Sequence, residues 1–374
     1  MLVFFTRHGK MPARSCNRVL SGRQAQMKRF ALILAAISIS AAFPPGRFFG
    51  RASPTDLAAP ALRRFIFTYV THVGAMPKGA RQLRLWLPLP YEERSQIITD
   101  IKIESPARFR TEHEKEYGNR YAYFTVDSDD AKGPFDIRMT FHAQRLEHRV
   151  SLTMSDDPPA QPLISPARFL LPDRLVPING EIAQISSQQT AGAAQPVEKA
   201  RRLYDYVVST MHYDHEGTGW GRGDAVWACD NKHGNCTDFH SLFIAMARAA
   251  GIPALFEIGF SIPANSSGGA ISGYHCWAEF YVPGIGWIPV DASEAWKNKD
   301  RADYFFGGLD ENRVMFTIGR DIRLKPGQKG DPLNYFIYPY AELDGKPFDG
   351  LKSDFFFHED PKPKGRPEKV TTSD

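Results

Sequence analysis

Cysteine is scarce in this sequence. Only four occur in 374 residues, Cys16, Cys229, Cys236 and Cys276. That is too few for a disulfide-framed fold, and no pair has the C-x-x-C spacing of a thiol redox site. There is no internal repeat and no long low-complexity run. The alternating glycines of 217–223 lack the Lys-Ser/Thr that would make them a phosphate-binding loop. Acidic residues are missing from residues 1–43, which hold seven Lys or Arg. Without those seven charges the formal net charge falls from +4 to −3. The basic balance therefore belongs to the leading segment, and the remainder offers no case for nucleic-acid binding.

What is present reads as a globular protein, 43% hydrophobic and 24% charged, with a length that suggests two domains. MKRFALILAAISISAAF, residues 27–43, has a basic start, an apolar run and small residues at its end. That is a secretory signal pattern, too short for a stable membrane span. No cysteine follows it, so a lipid anchor is not expected. Residues 1–26 precede it awkwardly, which makes Met27 the expected start. LVFFTRHGK near the terminus resembles the opening of histidine phosphatases, but nothing after it continues that pattern. An exported protein, periplasmic or secreted, is the expectation. It would keep Cys229, Cys236 and Cys276, an odd number, so at least one thiol stays free or joins another molecule. A Cys229–Cys276 bridge with Cys236 free is one arrangement.

Between residues 60 and 155, runs such as FIFTYVTHV, QLRLWLPLP and FDIRMTFHA are short and rich in β-branched and aromatic residues, as in a small β-sandwich domain. Residues 156–195 read as a connection along the surface. From 196 to 345 a second domain begins with a helix near Pro196, continues through a glycine-dense loop expected to be mobile, and passes into a second helix and antiparallel strands. Residues 346–374 read as a tail, partly disordered. The class is α+β.

HGNCTDFHSLFIAMARAAGIPA, residues 233–254, opens the second helix. Phe239, Leu242, Phe243, Met246, Ala247 and Ala250 make one apolar stripe. Gly251 followed by Ile252-Pro253 stops it. Asn235 is the expected N-cap, which puts Cys236 in the first turn, where unpaired N–H groups and the helix dipole favour a thiolate. A nucleophilic thiol needs a base and a group that orients the base. His233, His240 and His275 are the candidates. His275 lies on the strand-like YHCWAEFYV, sharing a face with Trp277, Glu279 and Tyr281, while Cys276 points to the core side. Asp291 ends the next strand. A two-residue turn on Gly284-Ile285 would set Asp291 opposite Ala278, on the wrong face, so a bulged or widened hairpin is required. Three other readings stay open: a metal site from Cys229, His233, Cys236 and His275, whose C-x3-H-x2-C spacing is uncommon for zinc; a redox pair of Cys229 and Cys236; and a non-catalytic cell-envelope binding module.

GNCTDFHSLFIAMARAAGIPA followed by GYHCWAEFYVPGIGWIPVDAS resembles the transglutaminase-like superfamily of papain-like cysteine enzymes, in its exported bacterial form. The likeness covers roughly residues 196–300. It rests on Gly234-Asn235-Cys236, His275 with Trp277, and Trp287-Ile288-Pro289-Val290-Asp291. It implies a papain-like core, a Cys-bearing helix packed on an antiparallel sheet, behind a β-sandwich. It also implies that Cys236 is the nucleophile, His275 the base and Asp291 the orienter, acting on a peptide or protein substrate, including cell-envelope peptides, without a cofactor or metal. Calcium activation is not expected, since no calcium-binding loop is present. The backbone N–H of Cys236 is the natural oxyanion donor, with Trp220 and Asn235 as candidate further donors or site walls. Thioacyl transfer to water, as in a cysteine peptidase or amidase, is favoured over transglutaminase crosslinking.

Overall fold

The computed structural model describes residues 59–128, 133–154, 162 and 164–361. The expected signal segment, the residues before it, and residues 362–374 of the expected tail lie outside the described residues. Among the described residues no helix is long and apolar enough to cross a membrane.

Five α-helices are described: α1 (Gly180–Gln189), α2 (Pro196–Thr210), α3 (Ala225–Asn231), α4 (Cys236–Ala249) and α5 (Ala292–Lys297). Helix α4 is the centre. Asn235 caps it in a capping box with Asp238. The apolar stripe read from the sequence understates its burial, because every residue from Cys236 to Arg248 is buried. One side of α4 lies on the sheet, and α1, α2 and α3 cover the other. The stretch 156–195 is therefore more than a surface connection. Its α1 buries Ile182 and bonds Ser186 Oγ to the Met246 carbonyl at 2.7 Å.

Four antiparallel strands face α4, in the order Gly286–Val290, Tyr274–Val282, Ala254–Ser261, Arg313–Ile318. The first hairpin has the required width. Val282 pairs with Gly286 and Ala278 with Val290, leaving Pro283, Gly284 and Ile285 as a three-residue loop. One step further, Asp291 falls in register with Trp277, on the face that carries His275. Strand Arg313–Ile318 is an edge strand, and its open side is closed by side-chain amides from the N-terminal half. Gln96 accepts from Met315 N–H and donates to its carbonyl, both at 2.8 Å. Asn119 does the same for Ile318, again at 2.8 Å twice. Two amides thus replace a fifth strand.

The register between Ala254–Ser261 and Arg313–Ile318 shifts between Ile258 and Gly259. A Cβ on Gly259 would sit 1.8 Å from the Val314 carbonyl oxygen. Gly259 also faces His275 across the sheet. We expect Gly259→Ala to lower unfolding free energy by about 1–3 kcal/mol, as overpacking of a filled site does. Denaturant unfolding measures this, and an unchanged midpoint would contradict the close approach.

The N-terminal strands do not form a unit of their own. One five-stranded sheet runs Gly268–Ile271, Leu351–Glu359, Leu62–Val73, Phe135–Leu146, Gln96–Glu104, and another runs Lys346–Pro347, Tyr340–Leu343, Gln82–Pro88, Arg120–Asp127, Phe109–His113. Residues 346–359, read from sequence as tail, supply strands to both. Boundaries at 155, 195 and 345 thus do not separate the sheets. The physical reason is in the core: Phe67 packs on Phe260 (5.2 Å) and Phe316 (5.7 Å) of the α4-facing sheet, so the first sheet buries its face there.

Candidate active site

Cys236 is the first residue of α4 and is 2% exposed. His275, near the start of its strand, faces it. The Nε2 of His275 is 2.8 Å from Asp291 Oδ2, which leaves Nδ1 for the thiol side. Asp291 is fully buried, and its other oxygen accepts from Ser293 Oγ and Glu294 N–H, both at 3.0 Å, as N-cap of α5. The structure therefore brings Cys236, His275 and Asp291 together, from one helix start and two ends of a hairpin.

A fourth residue joins them that the sequence reading did not name. Arg313 Nη1 donates to Asp291 Oδ2 at 3.1 Å, and its guanidinium lies 4.8 Å from the Trp277 ring centre. The indole N–H of Trp277 donates to Glu257 on the neighbouring strand. A charged residue at the head of an apolar run, RVMFTI, was the available signal.

The charges reinforce one another. Burial alone would raise the Cys236 thiol, but contacts with Cys276 and His275, and the His275 charge, hold it well below its ordinary value. Burial alone would lower His275, but Asp291 and the Cys236 thiolate push it up to about 10. Asp291, which burial would raise, is held well below the usual carboxylate range by His275 and Arg313. All three shifts favour a thiolate–imidazolium pair backed by a carboxylate.

Neither His233 nor His240 takes the place of His275 between Cys236 and Asp291. His233 Nδ1 is 2.7 Å from Asp214 Oδ1. His240 Nδ1 is 2.8 Å from the Cys236 carbonyl, and its Nε2 accepts from Ala292 N–H at 3.0 Å. Cys276 Sγ lies 3.7 Å from His240 Nδ1 and is in no disulfide, which removes the Cys229–Cys276 bridge. Among the described residues no three His, Cys, Asp or Glu side chains are grouped to hold a metal ion.

Asn235 caps α4 through Thr237 N–H at 2.9 Å, and its amide donates to Tyr274 Oη at 3.0 Å. It walls the site. Trp220 stacks on His215 at 4.5 Å, one residue from Gly221, which abuts the Asn235 amide. The glycine loop is pinned in its second half, contrary to the mobile reading. Asp238 accepts from Gly221 N–H at 2.7 Å and Gly223 N–H at 3.0 Å. Asn334 and Arg320 donate to the Arg222 carbonyl, and Arg320 also to that of Gly223. Gly223 has φ +59°, and a Cβ there would lie 2.6 Å from Ser241 Oγ, so the Arg-Gly-Asp triplet serves this turn.

Residues 183–292 match the family model of the Transglutaminase-like superfamily, a span that contains Cys236, His275 and Asp291. A Haemophilus influenzae protein of unassigned function is 29% identical over 319 residues, covering 75% of this chain and 86% of its own length. The crystal structure of a candidate cysteine protease from Cytophaga hutchinsonii superposes with a TM-score of 0.53 at 16% identity, covering 79% of this chain and 92% of that one. That likeness is one of fold. The helix-borne thiol, the antiparallel sheet beneath it and the family match together identify residues 183–292 as a transglutaminase-like core.

Proposed function

We propose that this protein is an exported thiol enzyme that opens peptide amides through a thioacyl intermediate and passes the acyl group to water. The observation that supports it most is the buried line from Cys236 through His275 to Asp291, with the thiol lowered and the imidazole raised. In this reading the Cys236 thiolate attacks the amide carbon, and the carbonyl π electrons move to oxygen. The Cys236 N–H sits at the first position of α4, where helix geometry supplies no acceptor, and it stabilises that oxyanion. His275 gives its Nδ1 proton to the leaving nitrogen as the C–N bond breaks. His275, then neutral, takes a proton from water, which attacks the thioester and releases acid and thiolate. Asp291 and Arg313 keep the ring oriented.

Export rests on residues 27–43 and places the enzyme among peptide and cell-envelope amides, which favours hydrolysis. The test is mass spectrometry of a peptide mixture incubated with the enzyme, a primary amine and reductant. New peptide termini support a peptidase, and loss of ammonia from glutamine with water uptake supports an amidase. Amine incorporated at glutamine would replace hydrolysis with transglutaminase crosslinking.

A further inference from the structure

His240 is buried, four residues after Cys236 on α4, and the chemistry above gives it no task. Its contacts define its proton. The Ala292 amide can only donate, so Nε2 is the acceptor and the proton rides on Nδ1, which donates to the Cys236 carbonyl. Burial lowers its affinity for a second proton, in keeping with a neutral ring. Asp291 Oδ1 is 3.6 Å from the same Nε2, so the ring lies against both the nucleophile turn and the orienter turn.

Those two turns are on different elements. Cys236 belongs to α4, whereas Asp291 lies between the last strand of the hairpin and α5. The thiol-to-imidazole distance depends on how α4 seats on the sheet edge, and His240 bridges that joint with one donated and one accepted bond. We infer that His240 is a positioning residue for the thiolate–imidazolium pair, bolting the Cys236 turn to the Asp291–Ala292 turn in its Nδ1–H form. A protonated His240 would turn Nε2 into a donor facing the Ala292 N–H, and would set a second cation beside Asp291 in competition with His275.

This inference rests on the proposed thiol chemistry, and its test reads the ion pair without turnover. Nitrogen-15 histidine spectra of the wild-type protein are expected to show His240 as the Nδ1–H tautomer from pH 6 to 8. An Nε2–H tautomer or an imidazolium there would overturn it. Alkylation of Cys236 by iodoacetamide, read peptide by peptide against pH, gives the second measurement. His240→Phe keeps ring volume and removes both bonds. The midpoint of the Cys236 profile is expected to rise by about one pH unit, roughly a tenfold slower reaction in the acid limb. His240→Gln, whose amide can accept from Ala292, is expected to recover part of that shift. An unchanged profile in folded His240→Phe, or a shift in His240→Gln as large as in His240→Phe, would make His240 an ordinary core residue and overturn the inference. A normal profile in wild type with no peptide turnover would count against the proposed function and leave His240 standing.

Discussion

Cys236→Ala is expected to reduce kcat/KM for peptide cleavage by about a millionfold, the scale seen when a triad nucleophile is removed. No neighbour can substitute. Cys276 is the nearest other thiol, but its burial, which the substitution leaves in place, raises it above the ordinary thiol range and disfavours a thiolate there. It also leaves the strand on the side opposite His275. Fold should survive, because alanine suits a first-turn position and fills most of the thiol's space. The measurement is the appearance of new peptide termini by mass spectrometry for both proteins, with circular dichroism as the folding control. Termini that persist in the variant would remove Cys236 from the reaction. In wild type, iodoacetamide at pH 6 should label Cys236 ahead of Cys229 and Cys276, since only a thiolate reacts quickly.

Asp291→Asn should be the next largest loss. Asparagine is a competent N-cap, so the bonds to Ser293 and Glu294 can remain. What disappears is the charge. His275 Nε2 and Arg313 Nη1 both donate to Oδ2, and an amide nitrogen there would meet donors with a donor. Turnover should fall by about 10³–10⁴, the cost of a mis-set histidine in a triad. Arg313 would keep only Asp310, at 3.4 Å, as a carboxylate partner. Breaking a buried pair this way costs about 3–5 kcal/mol. The sign with pH follows from the two shifts. His275 is raised to about 10 from 6.5, so its share of stability is complete below 6.5 and lost as pH rises through about 10. Asp291 is lowered, so its share is present above 3.8 and lost as pH falls through its depressed value. The stability gap between wild type and variant should therefore be widest between pH 4 and 6.5 and narrow towards pH 10, where the Arg313 share alone remains. A gap that widened with alkali would place the pairing elsewhere.

The parts legible in the sequence were local. Asn235, Gly251 and the spacing of Phe239, Leu242 and Phe243 marked α4, and alternation marked Tyr274–Val282 with its ends in place. Parity alone requires the hairpin to widen, and the three loop residues Pro283, Gly284 and Ile285 satisfy it. The parts not legible were contacts across distance. Arg313 reaches Asp291 only because the bulge at Gly259 and the amides of Gln96 and Asn119 seat its strand. His240 carried the same local signature as a catalytic base, and only the Ala292 amide at its far nitrogen shows otherwise. The residues after 345 looked like tail because a strand's partner cannot be read from its own composition.

The closing strand has a consequence for the order of events in synthesis. Leu351–Glu359 lies between Leu62–Val73 and Gly268–Ile271, and Arg63 binds Glu359 across a separation of 296 residues. Contacts so far apart impose a large loop-closure entropy and slow folding. A nascent chain emerging from a ribosome or a translocation channel leaves Leu62–Val73 without this partner until residue 359 has appeared. The helix that carries Cys236 and the four-stranded sheet beneath it are complete in sequence by Ile318, yet the five-stranded sheet that packs on them through Phe67 gains Leu351–Glu359 only afterwards, so the core beside the thiol is sealed last.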